Sequence, residues 1–296
     1  MRRIELLSAL HDQESTLAWC RQRGLMRSVE KCTECDNEMH EKKKACIDGY
    51  IWVCRKMIHG YRHYKKLSIR HGSIFEDSKL PIKTIVCILY EWARLTTVEE
   101  CAFQSGLDKT TISRWYRRFR QIAEDNIRTT ATQLNGSPDD IVEVDECQIG
   151  RRKHHRGRAP TAVWIVGGVV RGSNQSQLFI EIVRKRNAAT LTDVLLRRVD
   201  RGATIVTDGW RGYRNLTEVG FIHKVVNHSV NFVDRNNSEI HTQNIENLWR
   251  CLRRFLHGRS NYSRRHLLSY IHEFIFRKSS VDCFETFLSI LGRLNI

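Results

Sequence analysis

The stretch from Ile141 to Gly150 (IVEVDECQIG) constrains this chain more than any other. Ile141, Val142, Val144 and Ile149 alternate with polar residues, the pattern of a strand. The stretch follows a turn signal, NGSPDD, over 135–140. Asp145 stands in mid-strand in the polar phase, where a carboxylate is costly unless a metal or another cation meets it. Glu143 and Asp145 share a face by the two-residue period of a strand, while Glu146 points to the other. Two later stretches also place a carboxylate at the edge of an element. IVTDGW ends a strand at Asp208, and HTQNIENLW puts Glu246 in the first turns of a helix. Three carboxylates, two on strands and one on a helix, suit a two-metal site for in-line attack on a phosphodiester. Oxygen donors of this kind select magnesium or manganese over zinc. Asp145 is placed to bridge two ions, with Asp208 completing one shell and Glu246 the other. Glu143, Glu146 and Asp234 compete for these roles.

The elements around these carboxylates predict the fold. Strands are expected over 164–170 and 178–183, pairing antiparallel with the Asp145 strand. An amphipathic helix follows over 188–199, with Leu191, Val194, Leu195 and Val199 inward. Further strands are expected over 203–207 and 221–226, and closing helices over 264–276 and 283–291. Three strands, a helix, a strand, a helix and a further strand describe an α+β or α/β chain with a ribonuclease-H-like core.

Nearer the N-terminus, residues 4–25 have helical periodicity and end near Gly24, a glycine suited to a C-cap. KCTECD then supplies a Cys-x-x-Cys knuckle, Cys32 and Cys35, able to bind one zinc ion. A partner knuckle is expected 15–20 residues on. Cys54 ends a short strand there, but Met57 occupies the position that would close a second pair. His59, His63 and Cys46 are the substitutes, and a plain hairpin with stray cysteines is the alternative. Three helices are expected over 82–92, 97–104 and 109–120, with a Gly106-containing turn before the third, which is a helix-turn-helix pattern. Lys109, Thr110, Thr111 and Ser113 stand where base edges would be met, and Arg114, Arg117, Arg118 and Arg120 suit phosphates. A basic, solvated helix in a small bundle is the competing reading.

The charge balance supports a nucleic-acid partner. The chain carries 49 Lys and Arg against 33 Asp and Glu, a net charge of +16, which favours a polyanion. No apolar run is long enough to span a bilayer, and the N-terminus (MRRIELL) has no signal-peptide apolar core. The ten cysteines are therefore read as thiols and metal ligands rather than disulfides. Arg152, Lys153 and Arg156 lie in a basic run just after Asp145, placed to grip DNA. Arg250 and Arg253 recur at helical spacing after Glu246 and are candidates to line the same groove.

VEVDECQIGRRKHHRGR, VWIVGGVVRG, TIVTDGWRGY and VNHSVNFVD…HTQNIENLWRCLRRFL together resemble Merlin-type transposases. These are eukaryotic relatives of a bacterial insertion-sequence transposase family with an Asp-Asp-Glu catalytic core. The similarity covers almost the whole chain, including SIRHGSIFEDSKL after the cysteine region. It implies a cut-and-paste DNA transposase that binds element ends, hydrolyses a strand to release a 3′-hydroxyl and joins that hydroxyl to target DNA. It places the catalytic residues at Asp145, Asp208 and Glu246, holding two magnesium or manganese ions. Some bacterial relatives use an Asn in the catalytic set, and Asn244 lies in the matched block. The family's Cys or His before the SIR block falls on His63, which gives Cys32, Cys35, Cys54 and His63 as a zinc set. The implied partners are double-stranded DNA, at element ends and target, and further copies of the chain on that DNA, with no membrane. A nuclear location follows if the chain is eukaryotic, and the cytoplasm or nucleoid otherwise. The implied organisation is an N-terminal helix (1–30), a zinc-ribbon-like element (31–72), a helix-turn-helix domain (79–134), a catalytic core (138–260) and C-terminal helices (261–296). Two other readings are a transposase-derived non-catalytic DNA-binding protein and a ribonuclease-H-like nuclease. An intact carboxylate triad argues against the first, and a separate sequence-reading element against the second.

Overall fold

The computed structural model describes residues 1–58, 60–130, 133–134, 140–150, 162–172, 177–226, 241–257, 259 and 264–294. The chain forms two compact units, Met1–Phe119 with Asp282–Ile296, and Arg120–Val281.

In the first unit, the expected N-terminal helix is two helices, α1 (Arg3–Ala9) and α2 (Gln13–Gln22). The break falls at Asp12, whose carboxylate accepts the Ser15 N–H at 2.7 Å and caps α2. Gly24, at φ +69°, closes α2, and the Leu25 N–H reaches the Cys20 carbonyl. Strands β1 (His40–Lys43), β2 (Tyr50–Ile58) and β3 (Tyr61–Ser68) form an antiparallel sheet in that order. Helices α3 (Ile82–Ala93), α4 (Val98–Ser105) and α5 (Lys109–Thr130) follow, α5 belonging to this unit as far as Phe119. Thr97 caps α4, Gly106 ends it in the left-handed region at φ +68°, and Asp108 accepts the Thr111 N–H at the start of α5. Trp92 on α3 packs against Phe119 on α5 and Phe287 on α9 (Cys283–Leu294).

The second unit is built on a five-stranded sheet. Its strands are β4 (Ile141–Ile149), β5 (Val163–Val170), β6 (Leu178–Val183), β7 (Thr204–Asp208) and β8 (Ile222–Val226), in the order β6-β5-β4-β7-β8. β4, β5 and β6 pair antiparallel, whereas β7 joins β4 and β8 joins β7 in parallel. The antiparallel pairs are hairpins. The parallel pairing of β7 requires a crossover, supplied by α6 (Ala188–Arg198). This is a ribonuclease-H-like mixed sheet. The alternation along β4 sorts its side chains between two cores. Val142 and Val144 join α6, Leu191 and Leu195 included, on one face. Cys147 and Ile149 join α7 (Gln243–His257) and α8 (Arg264–Ser279) on the other. No helix of the described residues is long and apolar enough to cross a membrane.

Glu273 of α8 is 1% exposed. Its carboxylate accepts the Arg120 Nε–H at 2.8 Å and the Arg277 Nε–H and Nη2–H at 2.9 and 2.8 Å. Burial opposes its ionisation, but the surrounding guanidiniums of Arg277, Arg120 and Arg259 prevail and hold it below the usual carboxylate range. Removing one member of a buried ion network leaves the others uncompensated. Glu273→Gln is therefore expected to lower stability by about 3–5 kcal/mol in urea titrations at neutral pH. Because the folded-state pKa is depressed, this contribution is complete above the unfolded value near ~4.3 and fades as pH falls through the folded value. A variant as stable as the wild type at pH 7 would refute this.

Candidate active site and cysteine–histidine cluster

Parallel pairing sets Asp145 beside Asp208. β4 and β7 are in register from Ile141 with Thr204 to Glu143 with Val206, so two further residues on each strand lead to Asp145 and Asp208. α7 supplies the third carboxylate. Its Trp249 donates from Nε1 to Asp145 Oδ2 at 3.0 Å, and Glu246 precedes Trp249 by three residues, on the same side of the helix. Burial pushes the Asp145 carboxyl up to about 6, and the charges of Asp208 and Glu246 add to that rise. The backbone N–H of Trp210 holds Asp208 Oδ1 at 3.0 Å, and the Thr242 hydroxyl lies 3.3 Å from Glu246 Oε1. A buried carboxylate whose ionisation is opposed by neighbouring negative charge suits a divalent cation, whose charge removes the repulsion. Their oxygens do not all approach within 4.8 Å of one another, as the zinc-type donors below do.

Room for Trp249 comes from the neighbouring strand. Gly167 is the β5 partner of Asp145, and a Cβ there would stand 2.5 Å from Trp249 Cη2. The sequence gives Trp249 and Gly167 no marking of their own. The only trace is an aromatic residue three positions after Glu246 and a glycine inside an otherwise apolar strand.

The other carboxylates of β4 are engaged differently. Glu143 is fully buried and takes Arg171 and the start of α7 as partners. Asn244 donates from Nδ2 to Glu143 Oε1 at 2.7 Å and from its backbone N–H to Oε2 at 2.8 Å. Glu146 faces the opposite core, near the fully buried Tyr213, and burial followed by the Asp145 charge pushes it up to about 7. On that side the Arg186 guanidinium lies between the Trp164 and Trp210 rings, 4.5 and 4.2 Å from their centroids.

The basic candidates divide among several places. Lys109, Thr110, Arg114 and Arg117 are exposed on α5, and Ser113 is half-buried. Arg250 and Arg253 are exposed on α7. Arg250 donates to Asn247 Oδ1 at 2.8 Å, and Arg253 donates to Cys147 Sγ at 2.9 Å. Arg152, Lys153, Arg156, Asp234 and His59 lie outside the described residues.

In the first unit, Cys32, Cys35, Cys54 and His63 bring their ligand atoms within 4.8 Å of one another. The Cys32–Cys35 knuckle turns through Asp36 at φ +54°, with the Asp36 N–H bonded to the Cys32 carbonyl. Cys54 does not end its strand. β2 continues to Ile58, and β3 returns with His63 opposite Lys56, which places Cys54 and His63 on one face of the hairpin. Cys35 Sγ lies 3.6 Å from Cys54 Sγ, and Cys32 Sγ lies 3.0 Å from His63 Nε2. Tetrahedral zinc with Zn–S bonds of ~2.3 Å places sulfurs about 3.8 Å apart, so the set is consistent with zinc. Asn37 pulls the Cys35 thiol down to about 7, while burial and then the neighbouring thiols push Cys54 up to about 12. Glu34 stands 3.3 Å from His63 Nδ1, where it would orient the ring with Nε2 toward a metal. Cys46 is exposed and outside the cluster, as is Met57.

Residues 133–279 match the ISXO2-like transposase domain. The matched segment takes in the mixed sheet together with α7 and α8. No curated protein matches the sequence. Among solved structures, one similar chain belongs to the simian T-cell lymphotropic virus intasome in complex with the PP2A regulatory subunit B56 gamma. It is 15% identical, with 49% of this chain and 50% of that chain covered, at a TM-score of 0.28. Another is the Mos1 strand transfer complex, 13% identical over 68% of this chain and 77% of that one, at a TM-score of 0.22. The chain thus spans about half the length of the intasome chain it matches. Neither superposition reaches a TM-score of 0.5, and the fold rests on the strand order given above.

The glycine opposite Asp145 yields a direct test of this geometry. Gly167→Ala should force the Trp249 ring away and remove its bond to Asp145, at a cost of about 1–3 kcal/mol from overpacking. Denaturant melts and Trp249 indole N–H chemical shifts would register both changes. An unchanged shift in the variant would mean that the ring does not sit as described.

Proposed function

We propose that this chain is a cut-and-paste DNA transposase that binds element ends, cleaves strands and joins the freed 3′-hydroxyl to target DNA. The observation that carries the reading is that α7 bonds Asp145 through Trp249 while the charges of Asp208 and Glu246 act on the same carboxyl, in a segment matching a transposase domain. Asp145, Asp208 and Glu246 would together hold two magnesium or manganese ions. When bound, such ions stabilise the attacking and leaving oxygens of an in-line displacement. The chain's own residues set the stage for that. The Trp249 N–H fixes the Asp145 carboxylate, the Trp210 N–H fixes Asp208, and the indole of Trp249 covers the Asp145 side against water. Asn244 is engaged with Glu143, which supports Glu246 as the third ligand.

DNA recognition is assigned to two surfaces. α4, the Gly106 turn and α5 would act as a helix-turn-helix, with Lys109, Thr110 and Ser113 at base edges and Arg114 and Arg117 on phosphates. Arg250 and Arg253 of α7 follow Glu246 and would hold backbone near the cut, together with Arg152, Lys153 and Arg156. Assembly of several copies on the DNA belongs to the same reading, as does a nuclear site of action in a eukaryotic host.

Asp145→Asn, Asp208→Asn or Glu246→Gln should each abolish magnesium-dependent strand cleavage while duplex binding persists. Normal cleavage by Glu246→Gln together with loss in Asn244→Ala would move the third ligand to Asn244. In the same binding titrations, Thr110→Ala with Ser113→Ala should narrow the preference for element ends over scrambled duplex, since each base contact contributes about 1–3 kcal/mol of discrimination. An undiminished preference would place sequence reading elsewhere.

The cysteine–histidine cluster is assigned a structural zinc ion held by Cys32, Cys35, Cys54 and His63. Closed four-ligand sites of this kind contribute folding energy directly. Metal analysis should find one zinc per chain, and Cys54→Ser should lower the zinc content and the melting temperature together. Folded, zinc-free wild-type protein would remove the assignment.

A further inference from the structure

Glu143 has no part in the proposed chemistry, yet it is the most completely bonded carboxylate of β4. It is 0% exposed. Oε1 accepts from Arg171 Nε at 3.0 Å and Asn244 Nδ2 at 2.7 Å, and Oε2 accepts from the backbone N–H groups of Asn244 at 2.8 Å and Ile245 at 3.1 Å. Arg171, at the end of β5, also donates from Nη2 to the His241 carbonyl at 2.9 Å, just before α7. The Glu143 carboxylate thus caps a helix from a different strand and ties its first turn to the sheet. The first N–H groups of a helix have no partner within it, and they carry the positive end of its dipole, so a buried anion suits this place.

The positions joined by this contact are two residues from Asp145 and one to two residues from Glu246. We infer that Glu143 is a positioning residue for the metal site: by anchoring the α7 N-terminus it sets the separation between the Asp145 and Glu246 carboxylates. The inference rests on the two-metal reading above. Arg171, the Asn244 side chain and the backbone N–H groups of Asn244 and Ile245 are all donors to Glu143, so the role needs a group that only accepts. Glutamine at 143 would turn an amide NH2 toward donors and free one of them. Asn244→Ala removes one side-chain donor and leaves the backbone bonds in place. Partners that orient a metal's ligands typically matter by about 10–100-fold in metal affinity or activity.

The test compares wild type, Glu143→Gln and Asn244→Ala of the full chain, using Mn2+ as the metal probe. Calorimetry reads Mn2+ affinity without turnover, cleavage assays read rate, and duplex titration reads DNA binding. The expected result for Glu143→Gln is Mn2+ binding and cleavage each weakened by about 10–100-fold, with duplex affinity unchanged. Asn244→Ala should shift Mn2+ affinity the same way and less. A purely structural role would lower the melting temperature while folded molecules kept wild-type Mn2+ affinity, and that result overturns the inference. If Glu143→Gln does not fold, a wild-type Mn2+ affinity in Asn244→Ala overturns it instead. Wild-type protein that neither binds Mn2+ nor cleaves would sink the two-metal reading and this inference with it. Wild-type activity beside unchanged variants sinks the inference alone.

Discussion

The transposase-like unit depends on how α7 is docked against β4. Two side chains of β4 that point to that face carry negative charge, and each is met by a donor from α7. Glu143 takes the helix's first N–H groups, and Asp145 takes the Trp249 indole N–H. Between these contacts lies Glu246, so the helix cannot shift along the strand without breaking bonds at two points. Apolar packing alone would not define this so closely. Ile245, Leu248 and Leu252 bury against Cys147, Ile149 and Ile165, but hydrophobic contact is non-directional and tolerates sliding. Hydrogen bonds to a buried carboxylate do not, because any donor that leaves strands a charge away from water.

Burial also explains why the three carboxylates differ in character. Asp145 lies on the covered part of β4 and is pushed up to about 6, whereas Glu246 is exposed. Glu146, one residue along, faces the other core and is pushed up to about 7 beside Tyr213. One strand therefore carries three different acidic environments within four residues, Glu143 to Glu146, set by alternation rather than by sequence distance. Glu143 is matched by Arg171 and helix N–H groups, Asp145 by one indole against the opposing charges of its neighbours, and Glu146 by Tyr213 and the Arg186 charge, which burial outweighs.

Much of the sheet was legible because a strand's face alternates with a period of two. β4, β5, β6 and β7 stand within about one residue of where alternation and turn residues placed them. The crossover helix was legible from its apolar spacing, and the order of elements then left few topologies for a mixed sheet. The long N-terminal helix was misread because periodicity continues across Asp12, and only the side chain's bond to Ser15 shows the break. The sequence suggests a strand ending at Cys54, where a partner knuckle is expected, whereas the hairpin runs on to Ile58. The partners of the acidic residues were not legible. Glu143 and Asp145 look alike in sequence. They differ only in what a helix about a hundred residues later presents to them, and in whether a glycine on the next strand leaves room for an indole.

The two proposed metal sites illustrate why one chain can address two kinds of ion without confusion. The cysteine–histidine cluster offers three sulfurs and a nitrogen on a knuckle and a hairpin, with its donors already gathered within 4.8 Å. Soft donors at closed tetrahedral spacing favour zinc strongly and leave no position for substrate. The carboxylates offer only oxygens and are not gathered so tightly, and hard ions such as magnesium keep waters and substrate oxygens among their ligands. Zinc binds most nitrogen and sulfur sites more tightly than magnesium, so a single mixed cluster would be captured by zinc. Separating thiolates from carboxylates by element, and closing one set while leaving the other open, makes the selection geometric.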